Sequence, residues 1–345
     1  MNEESFVASV IGRLKEDPSL SRALLVGPGD DAAVLEPSRQ SLVVTTDLLS
    51  DEVDFLVDKT APELIGRKAI AVNLSDLAAM GAEPLAVVVS VLLPRGHRVG
   101  TLAKKMTEGM LSILSAYHTA LAGGDTNSWR GKLAVSVTAF GQVPAKKAFL
   151  RSGARVGDRI LVTGALGGSI HKRQFTFSPR VSEALYLRRR GVVHAAMDIS
   201  DGLLLDLSRL ANASEVGFRL DLRNIPIHRD VCLYPSTDNL SPLEHALGDG
   251  EDFELILVVS PDDAARLLRE QPLALEEQRG TSDAKKNTAS KSFTRFCADH
   301  DFPPPEGVLL TDIGEILPRE KVFLQTNILG KTDALKNISG WQHHF

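Results

Sequence analysis

The segment 62–93 constrains the fold more than any other part of the chain. It begins with a long helix-forming run, PELIGRKAIAVNLSDLAAM, and the preceding Thr60 has capping-box spacing to Glu63. The run stops at Gly81, and the valine- and leucine-rich run 85–93 has the composition of a buried strand. Because a helix and a strand that are both largely apolar need a core on which to pack, the segment predicts an α/β unit.

Helix and strand patterns continue through the rest of the chain. Its 345 residues are enough for two hydrophobic cores. The segment 142–157 is rich in Pro, Lys, Arg and Gly, as a connection between domains often is. We therefore predict a mixed α/β (α+β) fold of two domains, 1–144 and 145–345. The polar, apolar-poor stretch 276–292 is predicted to be a mobile surface insertion in the second domain.

Composition excludes several classes of function. The net charge is −5 and only 5% of residues are aromatic, so neither a basic face nor a stacking platform for nucleic acid is expected. The longest apolar runs are too short to span a bilayer, and the acidic, amphipathic start is unlike a signal peptide. Cys232 and Cys297 are isolated, which favours a reducing, cytoplasmic location without a membrane or nucleic-acid partner.

The loop GPGDDA at 27–32 fits the glycine pattern of a dinucleotide-binding turn. Such a turn must be followed directly by a long helix, but here Pro37 interrupts the chain after a few residues. The loop also carries two adjacent carboxylates, which would repel a pyrophosphate. A metal-binding loop is therefore the better interpretation.

Similar carboxylates stand at predicted strand ends, glycine turns and one helix elsewhere in the chain. They are Asp47, Asp76, Asp125, Asp198, Asp201, Glu251 and Asp252. Oxygen ligands clustered at such places suit Mg²⁺, which prefers a few carboxylates together with waters and substrate phosphates.

Most of these carboxylates also have a structural interpretation. Asp30 or Asp31 would serve equally in an Asx-turn, and Asp201 as a helix N-cap. Asp76 differs because its helical face lacks Lys and Glu and because it lies near the negative end of the helix dipole. A carboxylate buried there is costly without a compensating cation, so a metal or a basic partner is expected.

The sequence contains none of the common nucleophile or nucleotide signatures. It has no P-loop, protein-kinase catalytic loop, H-E-x-x-H or G-x-S-x-G pattern, and its nine histidines are scattered. The glycine-rich stretch 163–169 suits either a phosphate or a plain turn. Carboxylates and Mg²⁺ without a nucleophile favour phosphoryl transfer, which depends on positioning and charge neutralisation.

On these motifs the chain resembles the thiamine-monophosphate kinases, within the aminoimidazole-ribonucleotide synthetase-like superfamily. The motifs appear in family order: GDDAAVL, TTDLL, AVNLSDLAAMGAEP, GGDT, RSGARVGD, SPR, MDISDGL and GEDFEL. The resemblance implies an enzyme that uses ATP and several Mg²⁺ ions to phosphorylate thiamine monophosphate to the diphosphate. It also implies the two-domain fold of that superfamily, with the N-terminal sheet forming a barrel in a homodimer.

The resemblance also implies roles for individual residues. The implied metal ligands are Asp30, Thr45, Thr46, Asp47, Asp76, Asp125, Asp198 and Asp201, of which Asp47, Asp125 and Asp201 are expected to be catalytic. The implied ATP contacts are Gly124, Asp125, Arg151 and Ser200. The implied substrate side consists of Glu251, Trp341 and the position of Asp54.

The chain departs from the family at two places. Asp54 stands where the family usually has a histidine that contacts substrate, and the segment 170–177 between GGS and SPR is short. Two alternatives therefore stay open. One is a related ATP-dependent enzyme of the same superfamily with another small acceptor, and the other is a non-catalytic nucleotide-binding protein.

The valine-rich strands of the first half bear on assembly. The runs 42–46, 85–92 and 133–140 suit a sheet that is buried on both faces. The helices of one domain are too few to cover both faces. We therefore predict a homodimer through the N-terminal half.

Overall fold

The computed structural model describes most of the chain between residues 40 and 271 and short segments elsewhere. The described residues are 12–13, 16, 24–26, 34–35, 40–96, 99–233, 239–271, 308–319 and 322–325. They form two compact units, one containing residues 40–77 and 82–148 and the other residues 78–81 and 149–271 with the described residues from 308 onward. The expected ligand Asp30, the expected substrate residue Trp341 and the predicted insertion 276–292 lie outside the described residues.

The first unit contains a four-stranded sheet. Its elements are β1 Leu24–Val26, β2 Val34–Leu35, β3 Ser41–Ser50, α1 Pro62–Ala79, β4 Glu83–Pro94, α2 Val99–Ala116, β5 Ala120–Trp129 and β6 Ala134–Val143. The strand order is β3-β6-β4-β5, with β4 and β5 parallel and the other neighbours antiparallel, while β1 and β2 form a separate pair. The helix and the strand predicted within 62–93 are thus α1 and β4.

The two faces of this sheet differ in burial. Alternate residues of β6 are fully buried, and helix α1 packs on their side, where Leu77 lies against Gly141. The opposite face carries Leu42, Val44 and Leu48 of β3, which are 58%, 54% and 67% exposed. Because side chains alternate along a strand, these three form an apolar stripe on one face, here called the β3 stripe.

Helices α1 and α2 touch through their backbones at two glycines. A Cβ added to Gly109 would lie 1.8 Å from the carbonyl oxygen of Glu63, and one added to Gly66 would lie 2.0 Å from that of Met106. Neither helix has room for even a methyl group at these positions. A larger residue at either glycine would therefore force the two helices apart.

Gly109→Ala is therefore expected to destabilise the first unit by about 1–3 kcal/mol or more, the usual cost of overpacking. Urea unfolding measures the loss. Ser112→Ala, an exposed position of the same helix, is the control and should leave the unfolding midpoint nearly unchanged. A wild-type midpoint for Gly109→Ala would contradict the close contact.

The second unit is built on a six-stranded sheet with the order β12-β9-β11-β7-β10-β8. Its strands are β7 Arg159–Thr163, β8 Val193–Asp198, β9 Val216–Asp221, β10 Leu255–Val259, β11 Leu310–Pro318 and β12 Val322–Gln325. Its helices are α3 Val181–Arg190, α4 Leu203–Ala213, α5 Arg229–Leu233, α6 Pro242–Gly248 and α7 Pro261–Arg269. Every residue of β10 is buried, which explains the continuous apolar run LILVV.

Helix α7 begins as its sequence suggests. Ser260 is its N-cap and accepts a hydrogen bond from the backbone N–H of Asp263. Within the part of the chain that the structure describes, no helix combines the length and apolar composition that a membrane crossing requires.

Candidate functional site

In the first unit, the structure brings together two of the predicted metal ligands. Thr45 on β3 donates a hydrogen bond from Oγ1 to Oδ2 of Asp76 on α1 at 2.5 Å. Asp76 is partly exposed, so its burial is less complete than its helical pattern indicates. Asp47 lies two residues beyond Thr45 and therefore on the same face of β3. Hydroxyl and carboxylate oxygens thus share the helix-covered side of the sheet.

Thr46 lies on the opposite side. Its Oγ1 donates to the carbonyl oxygen of Val137 at 2.9 Å and accepts from Oγ1 of Thr138 at 3.1 Å. These bonds tie its side chain to β6 and away from the Thr45–Asp76 contact. Its assignment as a metal ligand stays a prediction.

Asp125 lies inside strand β5, so the glycine turn expected around GGDT is wrong. It pairs with Ser90 of β4, which pairs in turn with Ser136 on the face that carries the β3 stripe. The preceding Gly124 has a structural reason to be glycine, since a Cβ there would lie 2.1 Å from the carbonyl oxygen of Val89. The register places Asp125 on the face opposite to Asp47.

Among the described residues, no three His, Cys, Asp or Glu side chains lie close enough to hold a metal ion together. Asp30, the remaining ligand expected in the first half, is not among them. The donor chemistry nevertheless fits Mg²⁺, because the oxygens of Thr45, Asp47 and Asp76 are hard ligands of the kind this ion prefers.

Asp54 has a structural role in the turn that follows β3. Its Oδ2 accepts the backbone N–H of Ser50 at 2.6 Å, and its carbonyl oxygen accepts Nζ of Lys68 at 2.9 Å. Lys68 is only 1% exposed and was not singled out from the sequence. A lone lysine in an apolar helix is the signal that identifies it.

In the second unit, three predicted residues lie at the end of β8 and in the turn after it. Asp198 ends the strand, is buried and pairs with Leu255. The structural alternative for Asp201, an N-cap of α4, is wrong, because Gly202 occupies that position and no side chain caps it. Ser200, expected to contact ATP, immediately precedes Asp201.

Sequence reasoning missed the residue that fixes this turn. Asp206 of α4 accepts the backbone N–H of Ser200 at 3.0 Å and that of Asp201 at 2.9 Å. Arg209 contacts the carboxylates of both Asp201 and Asp206. Burial raises the pKa of Asp206 to about 6, while the bound amide and Arg209 act in the opposite direction. The signal was a single aspartate among the leucines of DGLLLDLSR.

Arg151, the other predicted ATP contact of this unit, is exposed. Its carbonyl oxygen accepts a hydrogen bond from Oγ of Ser214 at 2.8 Å. Ser214 directly follows helix α4, so the backbone at Arg151 is anchored close to that helix end.

The GEDFEL segment brings Glu251 against the same turn. The backbone N–H of Glu251 donates to the carbonyl oxygen of Ser200 at 2.7 Å. Gly250, Glu251 and Phe253 all have positive φ, at 73°, 57° and 51°. For side-chain-bearing residues this conformation is unfavourable and persists only where surrounding contacts hold it.

The next carboxylate, Asp252, supplies part of that hold. It is 1% exposed and accepts hydrogen bonds from the backbone N–H of Gly167 at 3.0 Å, from Oγ of Ser169 at 2.9 Å and from Nη2 of Arg173 at 2.8 Å. Burial raises its pKa to about 6, against the opposing effect of Arg173. The neighbouring Gly168 donates its N–H to a carboxylate as well, that of Asp249 at 2.9 Å.

These bonds decide between the two interpretations of the glycine-rich stretch 163–169. The amides of Gly167 and Gly168 already donate to carboxylates of this chain. The structure therefore favours a plain turn over a phosphate-binding loop. Arg173 belongs to the short segment 170–177, and it contacts the turn by donating hydrogen bonds to the carbonyl oxygen of Gly167 and to the carboxylate of Asp252.

Glu254 anchors the other end of GEDFEL. It is buried and accepts two hydrogen bonds from Arg180 of the SPR motif, at 2.7 and 2.5 Å, and one from Oγ1 of Thr163 at 2.6 Å. The SPR, GGS and GEDFEL motifs are thus parts of one buried network that supports Glu251.

Comparison with known proteins identifies the family of the chain. Residues 29–143 match the family described as AIR synthase related protein, N-terminal domain, and residues 155–277 match its C-terminal domain. A thiamine-monophosphate kinase of Rhodopirellula baltica is 42% identical over 271 residues, covering 76% of this chain and 84% of that protein.

Two solved structures share the fold. The crystal structure of thiamine-monophosphate kinase from Stenotrophomonas maltophilia has a TM-score of 0.70 at 31% identity and covers 91% of this chain and 95% of that one. AaThiL complexed with AMPPCP and TMP has a TM-score of 0.67 at 24% identity, covering 100% and 99%, a likeness that shows the fold alone. With the motif geometry described above, the chain belongs to the thiamine-monophosphate kinase family, within the AIR synthase-related proteins.

Proposed function

We propose that this chain transfers the terminal phosphoryl group of ATP to thiamine monophosphate, giving thiamine diphosphate. The observation that carries the proposal is the set of oxygen ligands on β3 and α1, at Thr45, Asp47 and Asp76, in a chain of this family. Phosphoryl transfer depends on positioning and charge neutralisation rather than on a protein nucleophile. The crowded, hydrogen-bonded turns around Ser200 and Glu251 are suited to positioning.

The proposal includes several Mg²⁺ ions. The residues that would hold them are those implied by the family motifs: Asp30, Thr45, Thr46, Asp47, Asp76, Asp125, Asp198 and Asp201. When bound, the ions neutralise the negative charge of the phosphates. The chain's own contribution is to fix the oxygens, as Thr45 does for Asp76 by donating its hydroxyl hydrogen.

In this proposal Gly124, Arg151 and Ser200 contact ATP, and Glu251 and Trp341 face the thiamine. A cytoplasmic location is also part of it, supported by the isolated cysteines, of which Cys232 is a free, exposed thiol.

A different small acceptor is the second candidate, and Asp54 is the observation that favours it. An ionised carboxylate accepts hydrogen bonds and repels a phosphate, whereas the histidine usual in the family donates one. The bond from Ser50 N–H to Asp54 gives that carboxylate a partner within its own turn.

One assay separates the candidates. Purified full-length protein is incubated with ATP and Mg²⁺, with and without thiamine monophosphate, and the products are identified by mass. Formation of thiamine diphosphate supports the proposal. ATP consumption that does not depend on thiamine monophosphate would indicate another acceptor. Binding of ATP without its consumption would indicate a non-catalytic protein.

We also propose that two copies pair through the β3 stripe. Leu42, Val44 and Leu48 are each more than half exposed in the single chain, although an apolar sheet face is normally covered. A second copy would cover the stripe with the same surface, as a two-fold interface requires.

Leu48→Asp is accordingly expected to give a monomer, because it places a charge on the most exposed residue of the apolar stripe. Light scattering at micromolar concentration should show the wild type at about twice the chain mass of 37.3 kDa and the variant at that mass. Val156→Asp, at a position 60% exposed in the other unit, is the control and should remain dimeric. A monomeric wild type would refute the dimer.

A further inference from the structure

The turn at Ser200 and Asp201 is held by a carboxylate that the sequence motifs do not assign. Asp206 is fully buried in the first turn of α4. One of its oxygens, Oδ2, accepts both backbone N–H groups of the turn, and the other, Oδ1, accepts Nη1 of Arg209 at 2.8 Å. The same guanidinium contacts the carboxylate of Asp201. Asp206 thus fixes the backbone of the turn, and through Arg209 it is linked to the side chain of Asp201.

This arrangement has a consequence for anion binding. Two successive backbone amides just before a helix form a natural site for a phosphate oxygen. Asp206 already accepts both of these N–H groups, so they are not available to bind a phosphate of the nucleotide. The hydroxyl of Ser200 and the carboxylate of Asp201 remain the groups of this turn that can meet a ligand.

We propose that Asp206 is a positioning residue for nucleotide binding, acting by holding Ser200 and Asp201 in the conformation that meets ATP and its cation. A preordered turn avoids the entropy cost of ordering these groups in each binding event. The inference rests on the proposed function, in which Ser200 contacts ATP and Asp201 contacts Mg²⁺.

Three substitutions separate the contacts of Asp206. Asp206→Ala removes the acceptor for both amides and the partner of Arg209. Asp206→Asn keeps one oxygen for the amides but turns an NH₂ group towards Arg209. Asp206→Glu keeps the charge and moves the carboxylate by one methylene. Ser208→Ala is the control, since Ser208 lies on the same helix and its hydroxyl only donates to the carbonyl oxygen of Leu204.

The main measurement is the dissociation constant of ATP with Mg²⁺, obtained by calorimetry on the full chain without acceptor. Asp206→Ala should weaken ATP binding by about tenfold or more, because two hydrogen bonds that order the turn are lost. Asp206→Asn should restore most of that affinity, and Ser208→Ala should bind like the wild type. In steady-state kinetics, Asp206→Ala should raise the KM for ATP more than the KM for thiamine monophosphate.

The melting temperature of each variant identifies a merely structural role. If Asp206→Ala melts earlier but binds ATP as tightly as the wild type, the inference is overturned. If that variant does not fold, Asp206→Glu takes its place, and wild-type ATP affinity in that variant overturns the inference equally.

Failure of the proposed function can be distinguished from failure of the inference about Asp206. A wild type that binds ATP but makes no thiamine diphosphate refutes the acceptor, while the comparison of ATP affinities still decides the role of Asp206. A wild type that binds no ATP overturns both proposals.

Discussion

Asp47→Asn is expected to remove nearly all phosphorylation of thiamine monophosphate while leaving the fold intact. Asparagine keeps the volume of the side chain but loses the negative charge proposed to balance a cation beside the transferred phosphate. Since such a cation contributes several kcal/mol of charge stabilisation, product formation should fall by at least about a hundredfold. Product is measured by mass at saturating ATP and Mg²⁺, and circular dichroism checks the fold.

The control for this change is Asp58→Asn. Asp58 lies in the same unit and is exposed, and no predicted site includes it, so the variant should keep wild-type activity. Full activity in Asp47→Asn would refute the proposed role of Asp47 and weaken the case for the whole ligand set.

Asp252→Ala is expected to destabilise the protein strongly, and more than Gly109→Ala does. The substitution leaves the guanidinium of Arg173 without its buried counter-charge and removes the acceptor for the N–H of Gly167. Breaking a buried pair on one side typically costs about 3–5 kcal/mol. For a unit of this size the melting temperature should fall by on the order of 10 °C, as scanning calorimetry would show.

Two further variants test the cause of that loss. Asp252→Asn keeps one acceptor oxygen for the amide of Gly167 but removes the charge and the second acceptor oxygen, so its loss of stability should be smaller than that of Asp252→Ala. Arg223→Ala removes an ion pair with Asp221 that is largely exposed and leaves the backbone bond to Asp221 in place, so it should change the melting temperature little. Wild-type stability of Asp252→Ala would show that the buried network does not support the unit.

The apolar pattern of the sequence predicted the helix and the strand within 62–93, and the glycine between them predicted where the helix ends. Gly81, which has a positive φ of 62°, and the apolar runs on each side of it define α1 and β4 as predicted. The strand through GGDT was missed because two glycines are poor strand formers. Gly124 is a glycine because the backbone of Val89 on the neighbouring strand approaches it closely, and not because the chain turns there. Such a contact between strands cannot be recognised from local sequence.

From the sequence, the candidate site could be proposed as a list of side chains but not as an arrangement in space. TTDLL and NLSD suggested ligands, yet the hydroxyl bond between Thr45 and Asp76 joins residues 31 positions apart. The roles of Asp206 and Asp252 depend on backbone amides, which have no sequence signature. The motif GEDFEL combines three carboxylates that look equivalent in sequence. Only the fold distinguishes Asp252 and Glu254, which are buried, from Glu251, which is partly exposed.

Strand β3 also has a consequence for the newly made chain. It lies at the edge of its sheet among the described strands and combines ten extended residues with an apolar stripe. An edge of this kind is a template for indiscriminate strand pairing. Before a partner copy binds, both this backbone edge and the adjoining β3 stripe, which is proposed to form the dimer interface, are open to non-specific association. The yield of active protein should therefore depend on how quickly matching copies meet after synthesis.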